Sequence, residues 1–133
     1  SDVQGLICHD QPVWAHVANM LAPHTERLLG ESGWSGLMVV AGATAPAEAM
    51  RLREVLPKAL FLVPGYGTQG ASAAQAVAGF VRTPRGLEGG IVNASRALLF
   101  PEAAQVARTL ADWRAAIQAR MQAARAELAQ ACA

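Results

Sequence analysis

Short runs of apolar residues alternate along the chain with stretches in which apolar positions recur every three or four residues. The runs predict strands at residues 35–43, with a core at 37–42, and at Leu60–Val63 and Gly90–Val92. The other stretches predict helices at residues 13–22, 24–29, 44–57 and 71–81, and a terminal helix from residue 101 or 102 to 131. Pro23 separates the first two helices, since proline lacks the N–H and must kink or end a helix. Residues 82–89 are predicted to form a loop.

This alternation of helices and strands predicts right-handed βαβ units and a parallel α/β sheet, with the three strands adjacent in chain order. Residues 37–40 are apolar on both faces, which predicts a strand that is covered on both sides. Three strands cannot close a barrel, and their two edges would stay unpaired. We therefore expect residues 1–133 to be part of a (β/α)8 TIM barrel, namely strands six to eight with their helices, and the N-terminal half to lie outside this chain.

The amino-acid composition excludes several classes of protein. The 133 residues are 53% hydrophobic and 16% charged, with a net charge of +1, which predicts one modest globular domain and no nucleic-acid partner. The uncharged, alanine-rich stretch at residues 71–81 is too short to cross a membrane. Cys8 and Cys132 are far apart, which favours reduced thiols in a cytoplasm. The three histidines have no carboxylate or cysteine at metal-ligand spacing, so no metal site is predicted.

The best candidate site is the glycine-rich stretch that follows the second predicted strand. Gly65, Gly67 and Gly70 allow a backbone with φ > 0 whose N–H groups can approach a ligand closely. A helix that begins behind such a loop favours a phosphate. Arg96 follows the third predicted strand, and its guanidinium fork matches an oxyanion. Together these residues predict a site for a phosphate monoester.

Two other interpretations of the glycines stay open. They could serve only the geometry of a strand-to-helix turn. They also match the dinucleotide fingerprint G-x-G-x-x-G, which requires an acid at the end of the next strand. Glu88 lies before that strand, and the strand leads into Asn93-Ala94-Ser95-Arg96 instead, so the dinucleotide interpretation is the weaker one.

Five segments, in this order and spacing, resemble orotidine 5′-phosphate decarboxylase, specifically its longer bacterial subgroup. The segments are residues 1–4, 40–46 (V-A-G-A-T-A-P), 52–57 (L-R-E-V-L-P), 61–70 (F-L-V-P-G-Y-G-T-Q-G) and 91–96 (I-V-N-A-S-R). They resemble the stretch after strand five, the end of strand six, helix six, the strand-seven loop and the end of strand eight. Thr68 replaces the usual alanine, and Ala41 is inserted.

The resemblance implies a role for each matching residue at the phosphate. Gln69 would hydrogen-bond the substrate phosphate and help to latch the strand-five loop over the pyrimidine. Arg96 would pair with the phosphate, aided by backbone N–H groups at Gly67 and at Ser95 or Arg96.

The resemblance also implies a base pocket. Pro64 and Tyr66 would line its apolar side. Thr44 would either contact the base or, as its position before Pro46 favours, cap the following helix.

The implied activity is conversion of orotidine monophosphate to uridine monophosphate and carbon dioxide, in a homodimer without metal or organic cofactor. The family's lysine and aspartate network, D-x-K-x-x-D, is not in this sequence, and Lys58 is the only lysine. We therefore expect this segment alone to hold the phosphate site but to be inactive. The alternatives are another phosphosugar-binding barrel enzyme, such as an isomerase or aldolase, and a non-catalytic phosphate-binding module.

Overall fold

The computed structural model describes residues 4–133, so the predicted resemblance of residues 1–3 to the stretch after strand five lies outside the described residues. The strands are β1 (Ile7–Cys8), β2 (Gln11–Pro12), β3 (Met38–Val40), β4 (Leu60–Val63), β5 (Val81–Thr83), β6 (Gly86–Glu88) and β7 (Gly90–Val92). The helices are α1 (Val13–Arg27), α2 (Pro46–Val55), α3 (Ala73–Ala76), α4 (Arg96–Leu99), α5 (Glu102–Gln105) and α6 (Leu110–Cys132).

The centre of the fold is a parallel sheet in the order β3-β4-β7. Val39 is in register with Phe61, and Phe61 with Gly90. β3 is shorter than the predicted strand, but the Ala43 N–H still donates to the Pro64 carbonyl at 2.8 Å, so pairing continues beyond the strand. The prediction of three parallel, adjacent strands in chain order is confirmed.

The two faces of this sheet differ. On one face Phe61 and Val63 are buried in a cluster to which α1, α2, α3 and α6 each contribute a buried alanine. On the other face Met38, Val40 and Ile91 are 45%, 67% and 56% exposed. Only one side of the first strand is covered within the described residues, because all of these helices pack on the same side, and cover on the other side stays a prediction.

Helix α1 continues through Pro23 to Arg27, so the prediction that Pro23 could end it is wrong. The residues after the proline are held in place, since Thr25 is buried and its Oγ1 donates to the Ala22 carbonyl at 2.7 Å. Packing of the helix thus outweighs the loss of one backbone hydrogen bond at the proline.

The helix predicted at residues 71–81 is reduced to the single turn of α3, and the predicted loop at 82–89 contains the β5-β6 hairpin. Gly79 explains the early end of the helix. A Cβ at Gly79 would lie 2.9 Å from the Phe61 ring, so the backbone itself packs on this ring. Tertiary packing therefore overrides a locally helical composition.

The terminal helix is divided into α4, α5 and the 23-residue α6. Thr109 is the N-cap residue of α6, and its Oγ1 accepts the Asp112 N–H at 3.1 Å. Trp113 and Met121 are exposed, while Ala124 is the buried residue of this helix. The predicted continuous helix is therefore wrong before residue 110.

Candidate functional site

The glycine-rich loop leaves β4 at the carboxyl edge of the sheet, the edge at which the three parallel strands end. Gly65, Gly67 and Gly70 have φ values of 101°, 84° and 86°, conformations that glycine adopts without strain. The Gly67 N–H donates to the Ala71 carbonyl at 3.2 Å, and the Gly70 N–H donates to the Gly67 carbonyl at 2.8 Å. A phosphate that uses the Gly67 N–H must therefore share it with this carbonyl or displace it.

The side chains of Gln69 and Thr44 both lie close to Gly65. A Cβ at Gly65 would lie 3.1 Å from the Gln69 Oε1 and 3.6 Å from the Thr44 Cγ2. Thr44 is exposed and does not cap α2: the N-cap residue is Ala45, and no side chain caps this helix. The prediction of a Thr44 cap is wrong, because the helix begins one residue later than that cap requires.

Arg96 lies on the other side of the loop. A Cβ at Gly67 would lie 2.9 Å from the Ala97 Cβ, so the loop packs directly against the start of α4. Ser95 and Arg96 are exposed there, and the Ser95 side chain does not cap α4. Within residues 4–133, the Arg96 guanidinium has no hydrogen bond, ion pair or ring contact, and it does not bond to Gln69.

Backbone donors add to this positive site. The N–H groups of Thr68, Gln69, Arg96 and Ala97 donate no hydrogen bond within the part of the chain that the structure describes. Unpaired N–H groups and a free guanidinium at one sheet edge are suited to an oxyanion.

Tyr66 faces the helix layer. It is buried, and its hydroxyl donates to the Glu127 carboxylate on α6, which also accepts from Arg120 Nη1 at 2.9 Å. Burial raises the pKa of Tyr66, while the hydrogen bond from Tyr66, followed by that from Arg120, lowers the pKa of Glu127. Pro64 is half-buried at the end of β4. The base-pocket role of Pro64 and Tyr66 stays a prediction.

No group of three or more metal-ligating side chains occurs among the described residues. None of the helices in the described ranges is long and apolar enough to cross a membrane. The two cysteines are free, with Cys8 exposed and Cys132 half-buried.

Sequence reasoning missed the role of Arg53, which joins loops at the amino edge of the sheet, opposite the glycine loop. The guanidinium donates five hydrogen bonds of 2.7–3.2 Å to backbone carbonyls and lies 3.8 Å from the Phe61 ring centroid. The five carbonyls belong to Leu56, Pro57, Ala59, Gly79 and Gly89. Burial lowers the pKa of Arg53 to about 10, and no carboxylate of the described residues pairs with it. The only sequence signal was Arg53-x-x-x-Pro57.

Curated relatives and solved structures were compared with the chain. It is 36% identical over 100 residues to an orotidine 5′-phosphate decarboxylase from Caldicellulosiruptor bescii and 30% identical over 120 residues to one from Rhodopirellula baltica. These matches cover 75% and 88% of this chain but 32% and 39% of the relatives, so the chain spans less than half of their length.

The structure of Leishmania donovani OMP decarboxylase matches 96% of this chain and 43% of its own, with a TM-score of 0.59 and 28% identity. No family model matches the chain.

Proposed function

We propose that this chain, which is similar in sequence and in fold to part of the orotidine 5′-phosphate decarboxylases, is the C-terminal segment of such an enzyme. Residues 1–133 would be strands six to eight of its (β/α)8 barrel, and the complete enzyme would convert orotidine monophosphate to uridine monophosphate and carbon dioxide. The observation that carries the proposal is Arg96, an exposed arginine without a partner in the described residues, beside the glycine loop at the carboxyl edge. Phosphate sites of TIM barrels are found at this edge.

The proposed role of the segment is to hold the substrate phosphate. Arg96 supplies the positive charge, and Gln69 supplies a neutral amide donor. Backbone N–H groups of Gly67 and of Ser95 or Arg96 complete the site. Binding energy from this remote group can stabilise a closed complex in which the reacting carboxylate is strained, which is how a non-reacting phosphate raises the rate.

The proposed base pocket adjoins the phosphate site. Pro64 and Tyr66 follow β4 directly, and Thr44 lies over Gly65 from the end of the neighbouring strand. Pro64 and Thr44 are therefore placed to flank a pyrimidine whose phosphate lies between the loop and α4, while Tyr66, buried against the helix layer, would support this pocket from behind the loop.

The groups that break the carbon–carbon bond would come from the N-terminal half. The proposed reaction needs no metal or organic cofactor, since a lysine can protonate the carbon that the carboxylate leaves. Lys58 cannot be that lysine, because it lies just before β4, at the amino edge. The resemblance further favours a cytoplasmic homodimer.

The exposed sheet face supports the N-terminal half as a partner. Met38, Val40 and Ile91 form an apolar surface beside two sheet edges that are unpaired in the described residues. In a TIM barrel such inward side chains are packed by those of the other strands. We expect residues 1–133 expressed alone to aggregate or stay molten and to lack activity. Co-expression with the N-terminal half should restore both, and a soluble, cooperatively melting monomer would contradict the segment proposal.

The activity is tested with the complete polypeptide that contains this chain. It should release carbon dioxide from orotidine monophosphate and form uridine monophosphate in equal amounts. Orotidine, which lacks the phosphate, should react far more slowly. Phosphate-dependent binding without formation of uridine monophosphate would refute the decarboxylase and favour another phosphosugar-binding barrel enzyme.

A further inference from the structure

Tyr66 connects the glycine loop to the last helix. It lies between Gly65 and Gly67, two residues with positive φ, and it is 4% exposed. Its hydroxyl donates to the Glu127 carboxylate on α6. A buried ring fixed at its polar tip leaves the backbone of the adjoining glycines little freedom to rotate.

Arg120 fixes the other end of this connection. It lies seven residues before Glu127, two helical turns away on the same face of α6, and its Nη1 donates to the carboxylate at 2.9 Å. The side chains of Arg120 and Glu127 are 25% and 47% exposed. Because an exposed ion pair contributes little to global stability, this pair is better suited to orienting the carboxylate than to holding the fold together.

We propose that Glu127 is a positioning residue that holds the glycine loop, through Tyr66, in the conformation that binds the substrate phosphate. The N–H groups of Thr68 and Gln69, which are unpaired within residues 4–133, follow Tyr66 by two and three residues. Their direction is therefore set by the same short segment that Glu127 fixes. This inference rests on the proposed phosphate site, and it places a determinant of phosphate binding on a helix that does not contact the phosphate.

The test uses Glu127→Gln and Tyr66→Phe in the complete enzyme. The matched control is Glu54→Gln, an exposed glutamate on α2 without a hydrogen bond to the described residues. Calorimetry measures the Kd of inorganic phosphate, uridine monophosphate and uridine. Glu127→Gln should raise the Kd of both phosphate ligands roughly tenfold, the effect of one hydrogen bond to a charged group. The Kd of uridine should change less than about twofold.

The double variant sharpens the test. If Tyr66 and Glu127 act as one unit, Tyr66→Phe with Glu127→Gln should raise the Kd of phosphate no more than the stronger single change does. Equal losses for uridine and uridine monophosphate, or a Glu127 variant that behaves like the Glu54 control, would overturn the inference.

The binding measurements need no turnover, so the two proposals can fail separately. An enzyme that forms no uridine monophosphate but whose phosphate affinity depends on Glu127 refutes the decarboxylase and supports the positioning role. If the enzyme is active but Glu127→Gln leaves the Kd of phosphate unchanged, only the positioning role is refuted.

Discussion

Two arginines lie at opposite edges of one three-stranded sheet and have opposite surroundings. Arg53, at the amino edge, is half-buried and bonds to five carbonyls, two of which directly precede β4 and β7. Arg96, at the carboxyl edge, is exposed and has no partner within the described residues. The guanidinium donors of Arg53 are thus bonded within the protein, whereas those of Arg96 are bonded to none of the described residues.

This difference predicts that Arg53 stabilises the fold and that Arg96 is available to bind an anion. A guanidinium that has its hydrogen bonds inside the protein stabilises the loops that supply the acceptors, and it has few donors left for a ligand. A guanidinium without internal partners contributes little to stability, and its donors are available to an anion. In TIM barrels active sites lie at the carboxyl edge, while the amino edge serves stability. The roles proposed for the two arginines follow this division.

The largest expected effect is at the amino edge. Arg53→Ala should lower the free energy of unfolding of the complete enzyme by about 3–5 kcal/mol, because several buried carbonyls lose their donor together. Arg53→Lys should recover little, since an ammonium group cannot reproduce the fork. Urea unfolding measures both. The control is Arg51→Ala on the same helix, an exposed arginine 5.4 Å from the Trp14 ring, which should cost less than about 1 kcal/mol. Equal losses at the two positions would contradict the structural role of Arg53.

At the carboxyl edge, Arg96→Ala should lower kcat/KM for orotidine monophosphate. The corresponding loss of transition-state stabilisation should be roughly 2–5 kcal/mol, the range for removing one partner of a buried charge pair. The melting temperature should hardly move, since the side chain has no internal partner to lose. Orotidine is the control substrate. If the variant slows orotidine as much as orotidine monophosphate, Arg96 is structural and the phosphate assignment fails.

Two glycines of the loop give a matched pair. Gly67 and Gly70 both have positive φ, but a Cβ at Gly67 would lie 2.9 Å from the Ala97 Cβ, while a Cβ at Gly70 would meet nothing within 4 Å. Gly70→Ala should cost about 1–2 kcal/mol of stability from the backbone alone, and Gly67→Ala should cost more because the loop must also move from α4. Only Gly67→Ala should weaken phosphate binding strongly. Equal effects on unfolding and on phosphate affinity would show that the contact with Ala97 is unimportant.

The smallest expected effect is that of Gln69→Ala. A neutral amide contributes about 0.5–1.5 kcal/mol per hydrogen bond, so kcat/KM for orotidine monophosphate should fall by less than in Arg96→Ala. A loss equal to that of the arginine would indicate that Gln69 also latches a loop over the substrate. Comparison of KM with kcat separates the two cases, since loop closure affects both.

The sheet could be predicted from the sequence because its signals are local. Leu60–Val63 and Gly90–Val92 have the predicted bounds, and the glycines and Arg96 lie at the sheet edge that the parallel order requires. The resemblance to orotidine 5′-phosphate decarboxylase likewise rested on short motifs and on the number of residues between them. These features need no knowledge of contacts between distant residues.

The end of α3 and the hydrogen bonds of Arg53 could not be predicted, because they depend on contacts between residues that are distant in sequence. The end of α3 follows from Gly79 packing on the Phe61 ring, and the bonds of Arg53 reach carbonyls as distant as Gly89. A single sequence does not encode either contact as a pattern. The start of α6 is different, since Thr109-x-x-Asp112 is a visible capping signal that the long apolar stripe obscured.

The bond between Tyr66 and Glu127 also has a consequence for biosynthesis. The two residues are 61 positions apart, and Glu127 lies on α6. During synthesis from the amino terminus, β4 and the glycine loop therefore emerge well before their partner exists. Until α6 has been made and has docked, Tyr66 lacks this acceptor. A nascent chain that already contains every residue of the glycine loop therefore still lacks the bond that fixes Tyr66 to α6.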